Sequence, residues 1–76
     1  MTTKEQKEYL KKLGLYIVKL REQNNIKQYE LSDALDIDVR VIRRIEKGET
    51  NIQIISLFKL ASILNVPASS FVDLPE

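Results

Sequence analysis

QYELSDALDIDVRVIRRIEKG, residues 28–48, holds two short apolar-patterned segments on either side of a three-residue break. Leu31 and Leu35 stand at i and i+4, which gives a short helix from Gln28 to Leu35 one apolar face. Asp36-Ile37-Asp38 breaks the pattern, and a further helix runs from Val39 to Lys47. Asp38 is a sound N-cap for it, because its carboxylate can accept from the unpaired N–H groups of the first turn. Gly48 is a sound stop, since glycine enters the left-handed conformation that ends helices.

The second of these helices separates its residues by chemistry. With Ile42 at zero on a helical wheel, Ile45 falls near about 300°, while Arg43, Lys47, Arg40 and Arg44 spread over roughly 100° to 200°. Four of the chain's twelve cations therefore share the face opposite the isoleucines. Arginine is the residue best suited to fork onto a guanine edge or a phosphate. Glu46 breaks the separation, at about 40° and beside Ile42. An unpaired carboxylate there is costly, so it requires a cationic partner. Arg21, bordering the apolar arc of the preceding helix next to Ile17 and Leu20, is expected to supply it as a salt bridge.

Outward from this core the chain reads as helices with short breaks and no useful period-2 pattern. The first helix spans Thr3 or Lys4 to about Gln23, and Asn24-Asn25 stops it. Tyr9, Leu10, Leu13, Tyr16, Ile17 and Leu20 lie on one arc. Gly14 lies off that arc and weakens the helix by roughly 1 kcal/mol of propensity. A fourth helix runs from about Gln53 to Leu64, with Ile54, Leu57, Leu60, Ala61 and Leu64 as its core arc, and Pro67 breaks the chain beyond it. Ala68 to Leu74 forms one more turn, with Phe71 and Leu74 capping the core. The fold class is all-α: one domain over 1–76, a bundle of four to five short helices.

Composition bounds the function. The 76 residues carry twelve basic and eleven acidic side chains, net +1, so only the placement of charge argues for nucleic acid. Cysteine and histidine are absent, and Gly14 and Gly48 build no phosphate-cradling loop. No catalytic arrangement, metal site or cofactor is therefore expected. MTTKEQKEYLKK lacks the apolar core of a secretion signal, and no apolar run approaches the roughly 18 residues of a membrane span. A cytoplasmic protein with no membrane partner is the expectation, and the tail VDLPE gives no sign of a further domain.

Two short helices joined by three residues, with Leu31, Leu35, Ile37, Ile42 and Ile45 apolar, form the pattern of a helix-turn-helix over residues 28–47. From Leu13 to Val66, 54 of 76 residues, the chain resembles the xenobiotic-response-element family of Cro and phage-repressor type. The landmarks are Leu20-Arg21, Gln28, Glu30-Leu31, Ile42, Arg44-Ile45-Glu46, Gly48, Asn51 and the helix from Leu57 to Val66. The resemblance implies a lambda-repressor-like five-helix domain with helix 39–47 in the major groove of double-stranded DNA. It places Val39, Arg40, Arg43 and Arg44 on base edges. It places Gln28, Lys47 and Asn51 on the DNA backbone, and it independently implies the buried Arg21–Glu46 pair.

The chain departs from the family's pattern at four positions. Asp36 stands where glycine is preferred, and aspartate is among the few residues that enter that backbone region readily. Ser32 replaces a usual alanine, with a hydroxyl able to bond back to a helix carbonyl. Ile52 replaces a frequent proline. Lys27 replaces a capping threonine or serine but offers a phosphate contact. Asp36, Asp38 and Glu49 lie near the DNA face that the resemblance implies and are expected to lower affinity for arbitrary sequence.

One recognition helix rarely supplies enough contacts, so a homodimer on a palindromic operator is expected. Ile55, away from the core arc, and Phe58 at its edge suggest the dimer surface, extended by Val72 and Leu74. The expected function is sequence-specific transcriptional regulation. A second reading of the same residues is a protein-interaction module of this fold, an antitoxin or adaptor whose third helix meets a protein partner. Salt dependence of binding to arbitrary duplex separates the two.

Overall fold

The computed structural model describes residues 1–75. Four α-helices follow in order: α1 (Thr3–Gln23), α2 (Gln28–Leu35), α3 (Val39–Glu46) and α4 (Ile54–Leu64), then a 3₁₀ turn at Ala68–Phe71. The described residues contain no strand.

The helix ends follow from local chemistry. At the start of α1, Thr2 Oγ1 accepts from the Glu5 N–H at 3.1 Å, and Glu5 Oε1 accepts from the Thr2 N–H at 2.9 Å. Asn25, Asp36 and Asn65 take positive φ after α1, α2 and α4 respectively, and Gly48 does so after α3. Asp36 thus adopts the left-handed geometry that its position requires, at φ 55° and ψ 46°. Asp38 caps α3 by accepting from the Arg40 N–H at 2.8 Å, and Lys47, expected inside that helix, is its C-cap. Gln53 is likewise the N-cap of α4 rather than its first residue.

Leu13, Ile17 and Leu20 of α1 meet Leu31 and Leu35 of α2, Ile42 and Ile45 of α3, and Leu57, Leu60 and Leu64 of α4 in one core. Phe71 is fully buried and closes it, its ring edge-on to Tyr16 with centroids 5.6 Å apart. The Tyr9 hydroxyl donates to the Phe71 carbonyl, which fastens the tail to α1. Asn24 Nδ2 donates to Leu20 O at 2.7 Å and reaches Leu64 O at 3.4 Å, tying the ends of α1 and α4.

This packing gives Gly14 a role and corrects two expectations. Gly14 lies within the single α1 that the sequence predicts. It is buried, and a Cβ built on it would lie 2.3 Å from the Glu46 carbonyl oxygen, so its missing side chain is what lets α1 and α3 cross closely. Ile54 is not core: at 60% exposure it sits on a first turn of α4 that overhangs the core, which the helix reaches only at Leu57. The Ser32 hydroxyl donates forward to the Ile37 carbonyl instead of back along α2, because the left-handed turn at Asp36 brings that carbonyl round to it.

Candidate nucleic-acid interface

Helix α3 is anchored from below by a chain of charge-assisted hydrogen bonds. Glu46, 8% exposed, accepts from Arg21 Nε at 2.8 Å and from Arg21 Nη2 at 3.2 Å, a forked geometry that fixes both groups. Arg21 spends its remaining nitrogen, Nη1, on the Ile26 carbonyl at 3.0 Å, which holds the loop between α1 and α2. Gln28 Nε2 donates to the same Glu46 Oε1 at 2.8 Å. Gln28 then turns its own oxygen outward, where it accepts from Arg43 Nε at 3.3 Å. One buried carboxylate therefore orients a half-buried arginine, the first residue of α2 and, through it, an arginine on the outer face of α3.

That outer face is exposed at Arg40, Arg43, Arg44 and Lys47, while Ile42, Ile45 and Glu46 are buried beneath it. Val39 is half-buried at the start of the helix. Arg40 folds back on Asp38, with Nε to Oδ1 at 3.1 Å and Nη2 to Oδ2 at 2.9 Å. Arg40 holds the Asp38 carboxyl down at about 2, first through its side chain and then through its backbone N–H. Both groups are open to water, and exposed ion pairs of this kind are readily exchanged for a stronger partner. Arg43 and Arg44 carry no ion pair among the described residues.

Beside α3, Arg21, Lys27, Gln28, Tyr29, Val39 and Arg43 line one shallow depression. The structure thus brings Lys27 and Gln28 of the α2 start together with Val39 and Arg43 of the α3 start. Glu30 accepts from the Lys27 N–H at 3.0 Å, so the helix start is capped from within and the Lys27 side chain is left outside. Tyr29, 59% exposed, is a member that the sequence reading passed over; an aromatic beside Gln28 in a first turn was its signal. Asn51 is exposed in the loop between α3 and α4, at the other end of the face.

The four apolar residues read as one surface lie in two places. Ile55 and Phe58 are exposed on α4, at 63% and 56%, with Ile54 beside them. Val72 and Leu74 instead line a groove against Tyr9, Leu15 and Tyr16 of α1, and no α4 residue lines it. The tail runs back along α1 because Phe71 is drawn under Tyr16 and its carbonyl under Tyr9. Leu74 is half-buried there and packs against the core.

No helix among the described residues is long and apolar enough to cross a membrane. No curated protein matches the sequence. Among solved structures, the chain is similar to the restriction-modification controller protein C.AhdI from Aeromonas hydrophila, with a TM-score of 0.75 and 24% identity, over 82% of this chain and 94% of that one. This likeness shows the fold. The family model described as helix-turn-helix matches residues 17–71, which takes in the anchored α1 segment, the two motif helices, α4 and the tail turn. The chain therefore belongs to the helix-turn-helix family of xenobiotic-response-element type, and it is a DNA-binding transcription regulator rather than an enzyme.

Proposed function

We propose that the chain acts as a dimer on a palindromic operator and reads base sequence with α3 in the major groove. The observation that carries this is the division of α3 into a buried side, held by Glu46, and an exposed side bearing Arg40, Arg43, Arg44 and Lys47. In this reading Val39, Arg40, Arg43 and Arg44 meet base edges, and Arg40 exchanges Asp38 for DNA. Lys27, Gln28, Lys47 and Asn51 hold the phosphate backbone, and the depression beside Arg43 accommodates a phosphate with Tyr29 as an added donor. The apolar surface at Ile54, Ile55 and Phe58 supports pairing of two copies, which would set two α3 helices about 34 Å apart.

Arg44→Ala tests the division of labour. A bidentate arginine–guanine contact accounts for roughly 5-fold to 150-fold of discrimination. Affinity for the preferred duplex should fall by about that factor, while the melting midpoint stays within a few degrees of wild type, because Arg44 is exposed. Titrations on the preferred and on a scrambled duplex, beside a thermal melt, separate the two effects. Unchanged discrimination would remove Arg44 from the reading face.

A further inference from the structure

The first turns of α1 lie ahead of residue 17, where the family match begins, and they carry Lys4, Lys7 and Lys11. With Leu13 at zero on the wheel, these lysines fall at about 180°, 120° and 160°. Gly14 and Arg21, whose contacts with Glu46 mark the side on which α3 crosses, fall at about 100° and 80°. Glu5 falls at about 280°, away from this strip, and Glu8 at about 220°, on its edge beside Lys4. In space the three lysines line one shallow depression with Thr3, and Glu8 is the one carboxylate in that lining. All three are exposed, and among the described residues none is in an ion pair.

The strip is continuous with the α3 face. Gly48 sits directly against the α1 backbone: a Cβ built on it would lie 2.8 Å from Lys11 Cα and 2.8 Å from Lys11 N. Lys47, the C-cap of α3, is the neighbouring residue. The lysines of α1 thus begin where the cations of α3 end.

We infer that Lys4, Lys7 and Lys11 form a second contact with duplex DNA, a backbone clamp beside the segment that α3 reads. The inference rests on the DNA-facing role of α3 given above. Lysine on a flexible stem is a point charge suited to phosphate rather than to a base edge, so the clamp adds affinity for any sequence and carries no specificity of its own. Each phosphate neutralised contributes about 0.9 to the slope of log affinity against log salt.

The test compares K4Q/K7Q/K11Q with K12Q/K19Q/K59Q, which removes the same charge from exposed positions off the strip. Glutamine is close to lysine in helix propensity, and circular dichroism melts check that both variants keep the fold. Binding of the full chain to a labelled mixed-sequence duplex is measured across a salt series. The clamp variant should lose about 2 to 3 from the wild-type slope, and the control less than about 1. An equal loss in the two variants, or an unchanged slope in the first, overturns the clamp and leaves the α3 reading standing. Absence of salt-dependent binding by the wild type would instead overturn the α3 reading, and the clamp with it.

Discussion

Replacing Glu46 with alanine is expected to destabilise the domain by about 3–5 kcal/mol, because removing one partner of a buried ion pair leaves the other charge without compensation. The Arg21 side chain is 13% exposed and the Glu46 side chain 6%, so neither can recover its hydration in place. The loss spreads beyond the pair, since Gln28 Nε2 also loses its acceptor and Arg43 then loses an oriented Gln28. For a domain of this size the melting midpoint should fall by at least about 12 °C. Arg21→Met with Glu46→Leu should melt closer to wild type than either Glu46→Ala or Arg21→Met alone, because an apolar pair carries no desolvation penalty. A Glu46→Ala protein that melts within a few degrees of wild type would mean that the network contributes nothing to holding α3.

Gly14→Ala makes a sharper demand, since two principles give it opposite signs. Helix propensity alone favours alanine by about 1 kcal/mol. The structure opposes it. The new methyl would meet the Glu46 carbonyl oxygen at 2.3 Å and the Ile45 carbonyl oxygen at 2.8 Å, and both are backbone atoms that cannot turn aside. Overpacking of this kind costs roughly 3 kcal/mol at the upper end of its range, leaving a net loss of about 2 kcal/mol. The expected drop in melting midpoint is about 8–16 °C. Because relief of the clash displaces α3, DNA affinity should fall along with stability, which distinguishes this change from Arg44→Ala. An alanine variant that melts above wild type would show that α1 and α3 do not pack at this distance.

These two positions also show how far the sequence could be read. Glu46 was legible: a carboxylate on the apolar arc of an otherwise segregated helix requires a partner, and Arg21 borders the matching arc. The helix ends were legible for the same local reason, since Asn25, Asp36 and Gly48 are residue types that accept positive φ. The wheel, however, gives the face of a residue and not what crosses it. Gly14 and Arg21 project from neighbouring angles on α1, but only the crossing of α3 turns the glycine from a weak point into a contact. The same limit explains Ile54, which satisfies the core period of α4 yet lies before the core begins. It explains Val72 and Leu74 as well, whose apolarity is evident but whose neighbours on α1 depend on where Phe71 is drawn under Tyr16. The candidate DNA face was readable as a list of cations. What sequence reading left out was their order in space: Arg40 held by Asp38, Arg43 held by Gln28, and Arg44 in no ion pair among the described residues.

Selection of random duplexes by the purified chain, with sequencing of those retained, tests most directly whether α3 reads DNA. The expected result is enrichment of an inverted repeat with half-sites about one helical turn apart, and loss of that enrichment in Arg44→Ala. Retention of duplexes without sequence preference at low salt, or the same enriched repeat from wild type and Arg44→Ala, would contradict it.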